Sequence, residues 1–189
     1  MSHINYFHNS SLHHVNGWAS KVAAATKHEL HLLPQLLANL KAAGHEDRLV
    51  VAADENQENM FVGSIALWPL GVATDSIQWF ELGTVFVVPN YRFPNSGLDI
   101  ADELHRRIMT LANGHNIMAT TTNPSERKSW QRVGFVTVPF NRLPPEVLPA
   151  TCICPKSKTG VNNPLNCPFR GNHCTVALAP DTLSRLNLI

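Results

Sequence analysis

Val85-Phe86-Val87-Val88-Pro89-Asn90-Tyr91-Arg92 is the stretch on which the fold turns. Four β-branched or aromatic residues in succession read as the end of a strand, and Pro89 stops it. Working back, Ile77 to Val88 is the longest strand candidate of the chain. Working forward, the next periodic segment is a helix. Ile100, Leu104, Ile108 and Leu111 fall on one face, and Asn113-Gly114 is its stop. The unit is therefore strand, tight turn, helix.

The rest of the chain is built around that unit. Upstream, residues 11 to 44 read as helical. Gly17 to Thr26 carries Trp18, Val22 and Ala25 at helical spacing. A second helix places Leu30, Leu33, Leu37 and Leu40 on one stripe, with Pro34 inside it and Gly44 as its stop. Arg48 to Ala53 and Met60 to Trp68 read as a hairpin pair of strands, and Pro69 to Asp75 breaks the pattern. Downstream, Ile117 to Thr122 is a short strand, Asn123 to Val133 a short helix ended by Gly134, and Phe135 to Phe140 a strand. Residues 141 to 173 are rich in Pro, Asn, Gly and Cys. Thr175 to Ala179 is a last strand before a polar tail. The order α-α-β-β-β-α-β-α-β-loop-β predicts an α/β mixed sheet with helices on both faces, in a single domain over 1–189.

Composition narrows the function. The 189 residues suffice for one core, 44% are apolar, and the net charge is +1. Balanced charge gives no electrostatic reason to expect nucleic acid or an anionic membrane as partner. No apolar run approaches the roughly 20 residues of a membrane helix. The polar N-terminus lacks a basic region followed by an apolar one, so the expected compartment is the reducing cytoplasm.

Two segments together resemble the GNAT superfamily of N-acyltransferases. Val85 to Arg92 resembles its motif A, and Asn123-Pro124 running to Gly134-Phe135 resembles its motif B, in the family's order and with a helix and a strand between. The resemblance implies a GNAT-like fold over roughly residues 10 to 140 plus the final strand, and acetyl-CoA as co-substrate. It implies that an acyl-pantetheine arm pairs with the strand around Phe86, Val87 and Val88. The pyrophosphate would lie on the turn of Arg92, Phe93, Asn95, Ser96, Gly97 and Leu98, where backbone N–H groups meet a helix N-terminus. The family's turn has glycine where Asn95 stands, and Asn is the best non-glycine substitute for a left-handed backbone. Pro94 offers no N–H, and Phe93 adds bulk there.

The implied chemistry is direct attack of an amine on the thioester, with a base for the ammonium proton. Glu81, eight residues before Pro89, is the candidate base; a solvated strand-end carboxylate is the alternative. In strict alternation it shares a face with Gly83, Val85 and Val87, and a bulge near Gly83 would reset that. A backbone N–H near Val87 would meet the thioester oxygen. Trp130 stands where the family has an acid tyrosine. An indole cannot supply a proton near neutral pH, so Trp130 is a pocket-wall or core aromatic, and the acid is unassigned. Asn123 caps its helix and approaches the cofactor arm.

Cys152, Cys154, Cys167 and Cys174 lie within 23 residues of a loop poor in apolar residues. Four thiolates on structural zinc would tie such a loop together, making 150–175 a Cys-rich insertion before the last strand. Unligated thiols and disulfides are the alternatives, and His173 is an alternative ligand to Cys174. The histidine pairs His13-His14 and His28/His31 lack a metal-site spacing. The leading reading is an N-acyltransferase taking an acyl-CoA and an amine acceptor, a small molecule or a protein amine, with its oligomeric state open. A GNAT-like module that binds without catalysis and a zinc-stapled interaction domain are the other two.

Overall fold

The computed structural model describes residues 3–28, 35–95, 99–121, 123–151 and 174–188. Its strands are β1 (Ile4–Phe7), β2 (Leu49–Asp54), β3 (Met60–Thr74), β4 (Ile77–Val87), β5 (Asn116–Thr121), β6 (Val136–Val138) and β7 (Thr175–Leu178). The helices are α1 (Trp18–His28), α2 (Leu37–His45), α3 (Ile100–Leu111), α4 (Pro124–Arg132) and α5 (Pro180–Arg185). Strands are hydrogen-bonded in the order β1-β2-β3-β4-β5-β7-β6. The mixed α/β character read from the sequence is what the chain adopts.

Two compact units emerge, Met1–Leu67 with Gly83–Asn113, and Trp68–Leu82 with Gly114–Ile189. β3 and β4 each run through both. The first unit holds the antiparallel ladders β1–β2 and β2–β3. β2 is buried at every position, as befits a strand covered on both faces. α3 packs against it, with Leu104 and Ile108 fully buried. The second unit centres on Trp79, Met118, Phe140, Leu143, Val147, Val176, Leu178 and Leu183.

Four expectations are corrected. Ile4–Phe7 is a strand, paired with β2 through Ile4–Asp54 to Phe7–Val51, where no element was read. β3 does not break at Pro69. Its alternation persists to Thr74, with Leu70 and Val72 packed on the second unit's core while Pro69 points outward. Pro180–Arg185 is a helix where a polar tail was read; Thr182 is buried there and its hydroxyl accepts the Ile117 N–H at 2.7 Å. Gly44 is no helix stop. It lies inside α2, and a Cβ on it would stand 2.8 Å from both Leu12 Cδ1 and Trp18 Cη2. Gly44→Ala is therefore expected to lower stability by about 1–2 kcal/mol through overpacking, read by urea denaturation. Leu30, Leu33 and Pro34 lie outside the described residues.

Candidate active site

Glu81 sits in the middle of β4. The parallel ladder with β5 pairs Trp79 with Asn116, Phe80 with Ile117, Glu81 with Met118 and Leu82 with Ala119. β5 pairs in turn with β7, Met118 opposite Leu178 and Thr120 opposite Val176. Side chains alternate, so Trp79, Glu81, Met118 and Thr120 share the face that carries the second unit's apolar cluster. Glu81 is 7% exposed. The Thr120 hydroxyl donates to its Oε1. Burial among apolar neighbours pushes the carboxyl up to about 7, against the Thr120 hydrogen bond, which favours the ionised form. Reading β3, β4, β5 and β7 residue by residue, Glu81 is their one ionisable side chain. A buried carboxyl titrating near neutrality is suited to take and release protons.

Beyond Leu82, β4 runs on through Gly83 to Val87 in the first unit. Thr84 has φ +58°, a left-handed conformation that costs a β-branched residue about 1–3 kcal/mol. It interrupts the strand's alternation. Burial falls on Trp79 and Glu81 before it, on Leu82 and Thr84 at it, and on Val87 after it. The left-handed residue stands one position beyond Gly83, near which a bulge would reset the alternation. The Ser64 hydroxyl donates to the Thr84 carbonyl at 3.2 Å, and the Val88 N–H to the Val62 carbonyl at 2.8 Å. Gly63 makes this close approach feasible, since a Cβ there would stand 2.8 Å from the Phe86 carbonyl oxygen.

After Val88, Pro89–Tyr91 forms a 3-10 turn. Tyr91 is buried and donates its hydroxyl proton to Asp54 Oδ2 at 2.7 Å, while Gln57 Nε2 donates to the Tyr91 oxygen at 2.8 Å. Arg92 Nε donates to the Val87 carbonyl at 2.8 Å, and its guanidinium lies 5.9 Å from the centre of the Phe86 ring. Phe86 stacks on Phe61. A turn closes from the Asn95 N–H to the Arg92 carbonyl at 2.9 Å, and Phe93 is 64% exposed. Ser96, Gly97 and Leu98 lie outside the described residues. Asp99 then caps α3, its Oδ1 accepting the Asp102 N–H at 3.1 Å, with Asp102 and Glu103 in the first turn. Asp99 thus already occupies one amide at this helix start and would compete with an incoming phosphate for it, whereas Glu103 is paired with Arg106 at 3.1 Å and Arg107 at 2.8 Å.

Asn123 caps α4 through the Ser125 N–H at 3.0 Å, and Pro124 opens it. Trp130 is 2% exposed, its indole N–H donating to Glu126 Oε1 at 2.8 Å one turn earlier. Cys174 packs against the second unit's core; Cys152, Cys154 and Cys167 lie outside the described residues. Among the described residues no group of three or more His, Cys, Asp or Glu is placed to hold a metal ion. None of their helices is long and apolar enough to cross a membrane. Thr120, Asp54 and Asp99 were not singled out in the sequence. Thr120 and Asp54 acquire meaning only from strand register and long-range contacts, whereas an Asp one residue before an apolar-periodic helix was a readable cap signal.

No family model and no curated protein matches the chain. Solved structures do. N-acetylglutamate synthase from Neisseria gonorrhoeae, complexed with coenzyme A and N-acetyl-glutamate, matches with TM-score 0.59 and 14% identity over 95% of this chain and 35% of its own. Thus the chain spans about a third of that enzyme. Arabidopsis thaliana Naa50, in complex with the bisubstrate analogue CoA-Ac-MVNAL, matches with TM-score 0.56 and 12% identity over 93% of this chain and 97% of its own. Rv2747 from Mycobacterium tuberculosis, in complex with CoA and NLQ, matches with TM-score 0.56 and 21% identity over 93% and 98%. At these identities the likeness is one of fold.

Proposed function

We propose that this chain, whose fold is that of the GNAT acetyltransferases, is an acyl-CoA-dependent N-acyltransferase with Glu81 as its base. The observation that carries the reading is the isolation of Glu81. It is the one ionisable group on four adjacent strands, burial pushes its carboxyl up to about 7, and its strand continues into Phe86 and Val87. In the proposed reaction Glu81 takes a proton from the acceptor ammonium, directly or through water. The amine nitrogen attacks the thioester carbonyl and an N–C bond forms; the C–S bond breaks, the second proton of that nitrogen passes through water to the leaving thiolate, and Glu81 then releases its own proton to solvent. Trp130 holds its indole proton for Glu126 and takes no acid role.

The named relatives carry N-acetyl-glutamate, a peptide-bearing analogue and NLQ beside CoA, so amino-acid and peptide amines are the acceptors to screen first. Thiol release from acetyl-CoA across such a panel tests the reading. Release above the hydrolysis rate with at least one amine is expected; calorimetry showing no acetyl-CoA binding at millimolar ligand would overturn it. Zinc has no part in this reading.

One specific observation favours the second reading, a GNAT-fold module that binds without catalysis. The proposed phosphate turn carries Phe93 and Pro94, and Asp99 and Asp102 stand at the start of α3. One substitution tests that crowding. Asp99→Ser keeps a capping oxygen and removes a charge. A charge at a helix N-terminus is worth about 0.3–1 kcal/mol, so acetyl-CoA should bind about two- to fivefold tighter, with the gain shrinking at high salt. Unchanged affinity in calorimetry would place the phosphates elsewhere.

A further inference from the structure

We infer that Thr120 is a positioning residue for Glu81: its hydroxyl holds Oε1 and thereby directs proton uptake to Oε2. The functional meaning of this inference rests on the acyltransferase reading; the pairing itself does not. Three observations support it. Parallel register sets Met118 opposite Glu81, so Thr120 is the next residue along β5 on the same face, one diagonal step away. That face is apolar around the pair, with Trp79, Met118, Val176 and Leu178 all buried. Valine would fill the same volume, so the hydroxyl is what threonine adds.

The third observation is that, among the described residues, no charged group joins burial and Thr120 as an influence on Glu81. Burial raises its pKa and Thr120 lowers it. Among the described residues, the charged groups on the elements packed against β5 and on the neighbouring 140–148 segment add nothing to these two influences, and four of them are engaged elsewhere. On α4, Glu126 accepts from Trp130 and Arg127 donates to Thr175 Oγ1 at 3.4 Å. Lys128 and Arg132 share that helix and make no contribution to Glu81. On α5, Arg185 donates to the His115 carbonyl at 2.7 Å and to Asn116 Oδ1 at 3.0 Å; Asp181 makes no contribution. Along 140–148, Glu146 accepts from the Thr74 hydroxyl at 2.9 Å, and Arg142 makes no contribution. Among the described residues, the Thr120 hydroxyl is therefore the one hydrogen-bonding lever set against burial in Glu81's protonation. As a donor it favours the carboxylate; a neutral valine removes that donor at constant shape.

The test is a carboxyl titration followed by carbon-13 NMR on protein labelled at glutamate side chains, with Glu81→Gln assigning the resonance. In Thr120→Val the Glu81 transition is expected roughly one pH unit above that of the native protein, and in Thr120→Ser within a few tenths of a pH unit. Where transfer is measured, the alkaline-rising limb of kcat/KM moves with it, so that activity near pH 7 falls about five- to tenfold and returns above pH 9. Should Thr120→Val fail to fold by near-UV circular dichroism, Thr120→Ala supplies the same comparison. An unshifted Glu81 resonance in a folded hydroxyl-less variant would overturn the inference. A shifted resonance with no transfer to any amine would uphold the pairing and overturn the acyltransferase reading instead.

Discussion

Glu81→Gln is expected to lower acyl transfer by about 10²–10⁴-fold while raising stability at alkaline pH. Both effects have one origin. Burial lifts the carboxyl from 4.5 to about 7. Each tenfold change in proton affinity corresponds to about 1.36 kcal/mol, so the protonated and ionised forms differ in their contribution to folding by about 3 kcal/mol. Between pH 4.5 and 7 the folded chain holds a proton on Glu81 that the unfolded chain has released. Stability from this group is therefore fully present below pH 4.5 and is lost as pH rises through 7. Glutamine accepts the Thr120 hydrogen bond and carries no charge, so its variant escapes that loss. Urea denaturation at about pH 4.5 and about pH 8.5 should show the native protein losing about 3 kcal/mol more than Glu81→Gln over that range. Equal losses would mean that water reaches the carboxyl. Activity of the native protein should rise through pH 7 and level off above it, and the glutamine variant should lack that limb.

The parts of this molecule that were legible in sequence are those where local chemistry and fold agree. Val85 to Arg92 ends a strand because β-branched residues meet a proline, and the chain indeed passes from β4 into the Pro89–Tyr91 turn. α3 and α4 announce themselves by apolar period, by caps and by Gly114 and Gly134, both with positive φ. Illegible parts depend on distant partners. Ile4–Phe7 is only four residues long and is a strand because β2 lies beside it. Pro69 read as a breaker, yet an outward-facing proline leaves Leu70 and Val72 free to pack inward, and the alternation wins. Gly44 read as a stop, but Leu12 and Trp18, distant in sequence, pack against it and leave no room for a side chain. Glu81 was visible as a lone carboxylate in an apolar strand. Its protonation was not, because that depends first on how deeply the second unit's apolar cluster buries it and then on which β5 residue the parallel register brings alongside.

Asp54 is the strongest single support of the first unit's candidate turn, and its removal is expected to cost about 3 kcal/mol. Asp54 is the last residue of β2 and is 1% exposed. Its Oδ2 accepts the Tyr91 hydroxyl at 2.7 Å and its Oδ1 the Asn56 N–H at 3.0 Å. Burial, the hydrogen bond to Asp54 and the Asp54 charge push the Tyr91 phenol up to about 12, so it remains a proton donor throughout the working range. Asp54→Ala leaves the phenol and an amide without this acceptor, whereas Asp54→Asn keeps an oxygen and should cost about 1 kcal/mol. Tyr91→Phe removes the other half of the bond. Because the two groups touch, their effects should be non-additive, with a coupling of about 1–3 kcal/mol in a double-mutant cycle. The functional consequence is separable from the Glu81 chemistry. Tyr91 is followed directly by Arg92, whose side chain reaches back to the Val87 carbonyl, so releasing Tyr91 loosens the segment proposed to receive the acyl arm. Acetyl-CoA should bind several-fold more weakly to Tyr91→Phe, with the pH of the Glu81 limb unmoved. A shift of that limb, or additivity within about 0.3 kcal/mol, would show that Asp54 and Tyr91 do not form the support described.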